Sequence, residues 1–142
     1  VRKFVLEDLL AVAFFLLIFS GGIGLPFVDP PPFKADKPLC VLVLEESKDR
    51  GSYSLGQREV MTSQGTGTVR GYVAEKKGEL IVWDKDQTPQ KDTPGWVAEA
   101  LKVANRDKLP WIVAASPSSG TSRELPKESA ETMAALKKIG GP

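Results

Sequence analysis

The sequence predicts an α/β domain, with a central sheet of about four strands covered by helices and one hydrophobic helix ahead of it. Three observations carry this. The runs "PLCVLVLEE", "ELIVWD" and "WIVAAS" are short and apolar, with charge or proline at their ends. They read as buried strands, because a strand covered on both faces loses the polar alternation of a half-exposed one. Between them lie stretches with helical apolar spacing behind recognisable caps. The chain of 142 residues suffices for one domain, and ahead of it Leu9–Val28, "LLAVAFFLLIFSGGIGLPFV", is 20 residues without a charge.

At 1.5 Å per residue, a helix of that length crosses a hydrocarbon core of about 30 Å. Gly21, Gly22 and Gly24 weaken its far end, but glycine is common in membrane helices. A cleavable signal peptide would suit the basic start, Arg2 and Lys3, yet the run is long for one and no A-x-A site follows. A buried soluble helix would need a partner on every side, since the run has no polar face. Residues 1–28 are therefore expected to be a transmembrane or signal-anchor helix with membrane lipid as its partner. Residues 29–37, with three consecutive prolines in "VDPPPFKADKP", read as a semi-rigid stalk, and residues 38–142 as the domain. Arg2 and Lys3 on one side tie with Lys34 and Lys37 on the other in the positive-inside count. A short tail ahead of a first apolar segment usually stays inside, which places the domain outside the cytoplasm.

Within the domain, Leu39–Leu44 is the first strand, with Cys40 a small buried hydrophobe inside it. Ser54 caps a helix over Leu55–Ser63, broken by Gly65 and Gly67. Val69–Glu75 is either a second short helix or an extended segment. Glu79–Gln87 is the second strand, with Leu80–Trp83 its apolar part. Thr93, with Pro94 at the first helical position, opens a helix over Pro94–Asn105, whose Trp96, Val97, Ala100, Leu101 and Ala104 share one face. "LPWIVAAS" is the third strand, starting at Trp111 behind Pro110. A proline is tolerated there because the first residue of a strand can do without its N–H. "SPSSGTSREL" is a turn and a short edge strand. Pro126 and Ser129 start the last helix, Met133, Leu136 and Ile139 line its inner face, and Gly140-Gly141 stops it.

The composition excludes several kinds of chemistry. There is no histidine, so the commonest general base and zinc ligand is missing. One cysteine cannot form an intrachain disulfide, a CxxC pair or a thiolate metal site. No D-x-D-x-D-G calcium loop is present. The net charge of +1 comes from interspersed acids and bases, which is not a nucleic-acid footprint.

The strand-helix-strand order, Leu109-Pro110 ahead of "WIVAAS", and the ending "SSGTSRELPKESAETMAALKKIGG" together resemble the thioredoxin-like fold over roughly Lys37–Gly141. The ending is similar in style to thioredoxin-like proteins of bacteria and their phages. The resemblance implies a mixed sheet and a cis bond at Pro110. Redox-active members carry CxxC just after the first strand. The corresponding stretch here, "KDRGSYS", has no cysteine, and Cys40 lies inside the preceding strand. The resemblance therefore implies no thiol oxidoreductase activity and no cofactor. It does imply a groove in which Lys48, Arg50 and Tyr53 face Leu109, Pro110 and Trp111, and where an extended peptide pairs by strand-like hydrogen bonds.

The expectation is a membrane-anchored, redox-inactive thioredoxin-like domain for binding a protein or assembling with one. One alternative is a structural subunit of a membrane complex or virion. The other is a non-thiol enzyme using acidic residues at the carboxyl ends of the strands, where open α/β sheets bind ligands. Its candidates are Glu45 and Glu46, and the cluster Asp84, Asp86 and Asp92. Against it stands the ordinary reading of those carboxylates as solvated strand ends and loop. Arg50 with Tyr53 could hold an anion, but no glycine-rich phosphate loop accompanies them. The serines of "SPSSGTS" lack an adjacent base and read as a turn. Trp83, Trp96 and Trp111 read as core or groove aromatics.

Overall fold

A computed structural model describes residues 29–142, and the helix expected over residues 1–28 lies outside the described residues. Strands β1 (Cys40–Glu45), β2 (Glu79–Asp84), β3 (Trp111–Ala115) and β4 (Gly120–Glu124) form one sheet in the order β2-β1-β3-β4. β1 pairs parallel with β2 and antiparallel with β3, and β4 closes an antiparallel hairpin on β3. A 3-10 helix (Ser47–Ser52) follows β1. Helices α1 (Leu55–Thr62), α2 (Val69–Glu75), α3 (Gly95–Val103) and α4 (Ser129–Gly140) complete the element order. The chain is an α/β domain with a four-strand mixed sheet and helices on both faces.

The period of two along β1 separates two cores. Leu39, Val41 and Val43 pack with Ile112 and Ala114 against α1, α2 and α4. Cys40, Leu42 and Leu44 pack with Val113, Ala115 and Trp83 against α3. Every residue of β1 is fully buried, which is why its sequence shows no alternation.

Val69–Glu75 is helical, capped by the Thr68 hydroxyl, which accepts from the Gly71 N–H. The ends of β2, α3 and α4 differ from the sequence expectation, each for a local reason. β2 stops at Asp84 because its carboxylate accepts from the Asp86 N–H and its carbonyl from the Gln87 N–H, turning the chain. α3 starts after Pro94, which is the cap residue, and ends at Val103. The Asn105 side chain accepts from the Asp107 N–H, a local turn that competes with another helical turn. α4 starts at Ser129, leaving Pro126 outside it and buried. Its C-cap Gly141 has φ 91°, a conformation glycine adopts without steric cost.

The Leu109–Pro110 bond is cis. Residues 29–37 lie against the domain and do not stand off from it. Gly120 N–H donates to the Asp29 carbonyl at 3.0 Å, and Phe33 is buried with its ring stacked on Trp96 at 5.6 Å between centroids. The aromatic ring explains this: its apolar area gains more from cover than a solvated spacer would. No helix among the described residues is long and apolar enough to cross a membrane.

Candidate functional site

β1 ends, β3 begins and β4 ends at the same end of the sheet, and three local hydrogen-bond devices build a groove there. Ser54 and Gln57 form a reciprocal capping box at the start of α1. The Ser54 hydroxyl also donates to the Lys127 carbonyl at 2.6 Å, and Gln57 Nε2 donates to the Leu125 carbonyl at 2.8 Å. These two bonds hold the segment after β4 across from the 3-10 helix. Between them lies an open groove of about 490 Å³, with Asp49, Ser52 and Tyr53 on one wall, Leu109 and Pro110 at its floor, and residues 123–127 on the other wall.

Tyr53 decides what the floor offers. In the β1–β3 register Leu44 faces Trp111, so two residues further Glu46 would face Leu109. The Tyr53 hydroxyl takes that place: it accepts from the Glu46 N–H at 2.9 Å and donates to the Glu46 carbonyl at 3.2 Å. The ladder therefore stops. Leu109 makes no backbone hydrogen bond among the described residues, while the neighbouring Pro110 carbonyl accepts from Leu125 N–H at 2.9 Å. Burial pushes the Tyr53 phenol above its ordinary value, so it stays protonated and able to donate.

Of the six residues expected in the groove, Tyr53, Leu109 and Pro110 line it. Trp111 does not. Pro110, Ile112 and Ala114 share one side of β3, so Trp111 falls on the opposite, α3 side, where its indole donates to Ser122 Oγ at 2.8 Å. Lys48 is exposed on the 3-10 helix outside the groove. Arg50 turns back to Glu45: Nε donates to Oε1 at 2.9 Å and Nη2 to Oε2. Glu45 is fully buried, and this pairing raises the Arg50 guanidinium further above its ordinary value. Outside the loop Lys48–Ser54, where Asp49 and Ser52 also line the groove, the groove residues not singled out in the sequence are Gln57 and residues 123–127. The S-x-x-Q spacing of Ser54 and Gln57 was a visible signal for the first. The rest depend on which segment the capping box holds, and a linear pattern does not show that.

The acidic candidates fall into two groups. Glu46, Asp84 and Asp86 can bring carboxylate oxygens within 4.8 Å of one another. Asp84 Oδ2 already accepts from the Ser47 N–H and hydroxyl at 2.9 and 2.5 Å, and Oδ1 from the Asp86 N–H. These donors, the Ser47 hydroxyl first, hold the Asp84 carboxyl down at about 2. Glu46 is bridged by Lys85 at 3.2 Å, a pairing that raises the lysine. The Asp84 carboxylate is thus engaged in turning the chain, and Glu46 in accepting from the Lys48 N–H and pairing with Lys85. Asp92 is an exposed loop residue outside this cluster.

Cys40 is fully buried, with Asp36 Oδ1 at 3.7 Å from Sγ, and burial pushes its thiol up. That is the opposite of an activated nucleophile. Ser116 and Ser119 bond to each other at the β3–β4 turn, and Ser122 holds Trp111. Trp83 and Trp96 are core residues.

No family model, no curated protein and no solved structure matches the chain.

Proposed function

We propose that this is a thioredoxin-like domain without thiol chemistry, which binds an extended peptide segment of a partner protein in the groove at Leu109–Pro110. The helices between β1 and β2, the β3–β4 hairpin and the C-terminal helix support the thioredoxin-like reading. One observation carries the binding reading. The Tyr53 hydroxyl ends the β1–β3 ladder and leaves the Leu109 backbone without a backbone partner at the floor of a groove. A strand-like peptide supplies the missing partner by main-chain hydrogen bonds, and the mixed walls select its side chains. The reading includes a membrane anchor at Leu9–Val28, supported by 20 uncharged, mostly apolar residues, with the domain outside the cytoplasm.

Selection of a random-peptide library against the protein, followed by amide chemical-shift mapping of an enriched peptide, tests the groove. Shifts should centre on Tyr53, Leu109 and Leu125. Failure to enrich any peptide, or shifts centred on the β2 edge, would refute it. Protease treatment of intact spheroplasts tests the placement: digestion of the domain is expected, and protection would reverse the orientation.

A further inference from the structure

The two ends of the sheet differ, and the chain joins the domain at one of them. β1, β2 and β4 begin and β3 ends where Asp29 pairs with Gly120. The groove lies at the other end. α4 runs from the groove wall towards the Gly120 end, where Ser119 Oγ donates to the Ile139 carbonyl at 3.4 Å, and so brings Lys137 and Lys138 there. α2 ends there too, because Glu79 N–H donates to the Leu39 carbonyl at 2.9 Å immediately after Lys76, Lys77 and Gly78. Lys34 and Lys37 belong to the docked segment, beside the Phe33–Trp96 stack and Glu79.

The carboxylates nearest this end are Asp29, Asp36, Glu75 and Glu79, and Glu131 of α4 lines the same hollow as Asp29, Gly120 and Lys138. Glu79 is engaged by Lys37 at 3.7 Å and by the Trp96 indole at 2.9 Å. Lys34, Lys77, Lys137 and Lys138 are exposed, and none is in an ion pair among the described residues. The uncharged run ends at Val28, and the next residue, Asp29, is already paired with the sheet. No other residue lies between the two in the sequence.

We propose that the Gly120 end stands directly on an anionic bilayer surface through Lys34, Lys77, Lys137 and Lys138, with the groove turned away from it. The proposal rests on the anchor reading above. Lysines near an anionic surface are each attracted to it, and the attraction fades within a Debye length of about 8–10 Å. The six residues of β1, at about 3.3 Å each, set the groove roughly 20 Å further out. A peptide partner then reaches the groove from the aqueous side, without competition from lipid.

The test uses the full chain in vesicles containing phosphatidylglycerol and a headgroup-quencher lipid. In a Cys40→Ala background, a fluorophore is attached through Ser118→Cys, exposed at the Gly120 end, or through Ser52→Cys, exposed in the groove wall. Quenching at position 118 should exceed that at position 52 by about threefold or more. Replacing the four lysines with glutamine, or the lipid with neutral phosphatidylcholine, should lower quenching at position 118 while the chain still floats with the vesicles. Equal or greater quenching at position 52, or indifference to lipid charge and to the four lysines, overturns the proposal. A chain that fails to float with vesicles overturns the anchor reading as well. The unaltered chain supplies a check free of folding defects. On moving from detergent to anionic vesicles, Lys137 and Lys138 should lose reactivity towards a water-soluble acylating reagent while Lys127 keeps it. Uniform reactivity would count against the proposal.

Discussion

Replacing Arg50 with alanine isolates the carboxylate buried at the end of β1. Glu45 is fully buried, and both its oxygens are held by the Arg50 guanidinium. Removing one partner of a buried ion pair costs about 3–5 kcal/mol, because the remaining charge has left water without compensation. That figure is an upper bound here. The Arg50 side chain is 43% exposed, so water can enter where it stood and recover part of the loss. A cost of about 2 kcal/mol is expected, within the range for stranding a buried polar group and above the 0–1 kcal/mol of an exposed pair. Urea unfolding followed by tryptophan fluorescence reads this as a midpoint lowered by roughly 1 M. Glu45→Met in the same chain should restore most of the loss, since methionine is close to glutamate in volume and leaves no buried charge without a partner. If Arg50→Ala lowers stability by less than about 0.5 kcal/mol, the carboxylate is effectively hydrated and the argument fails. If the double variant is no better than Arg50→Ala alone, the loss comes from the 3-10 helix and not from the stranded charge.

Three other outcomes follow from the same geometry. Asp84 titrates at about 2 when folded, below its ordinary value, so its contribution is present above about pH 4 and is lost as pH falls towards about 2. Asp84→Asn should flatten the urea midpoint over that window, and an unchanged acid limb would refute the assignment. The Cys40 thiol is raised by burial, so its contribution is intact below its ordinary value of 9.0 and erodes as pH rises beyond it. Thiol labelling should be at least about 1,000-fold slower in the native protein than in denaturant, because it waits for unfolding. Fast native labelling would contradict the burial. Gly120→Ala would put a Cβ 2.5 Å from the Ala114 carbonyl oxygen and in conflict with Pro32 Cδ, so it should release residues 29–33 and cost about 1–3 kcal/mol. Proteolysis ahead of Phe33 should accelerate, and unchanged resistance would mean the segment is held elsewhere.

Strands and helices were legible wherever one residue pattern had one reading. "CVLVLE" is apolar without alternation because both faces of β1 are covered, and "WVAEALKV" shows one face because only one face of α3 is. Val69–Glu75 was ambiguous because seven residues are too few to separate the two periods, and its deciding feature, the Thr68 cap, lies just outside it. The groove was legible only as two facing loops. Tyr53 and Pro110 arrive there because the antiparallel pairing of β3 with β1 places the end of β1 beside the start of β3. Trp111 lies on the α3 side, and the strand period carries that information. It is one residue from Pro110, and in a strand one residue is the difference between two faces. Arg50 is a different kind of failure. Its role depends on Glu45 being wholly buried, and a glutamate at a strand end is ordinarily solvated, so no local pattern distinguishes it from Glu46 beside it. Residues 29–37 show the same limit from the other direction. Three prolines argue for an extended chain, but the chain bends at residues 32–33 and 36–38 as it lies against the domain, and local composition does not show against what. Phe33 carries the signal: one aromatic ring among prolines and lysines, five residues beyond the end of an apolar run, has little reason to be there unless the domain covers it. The close attachment of the domain to what precedes it rests on that ring and on Gly120, and both can be removed one at a time.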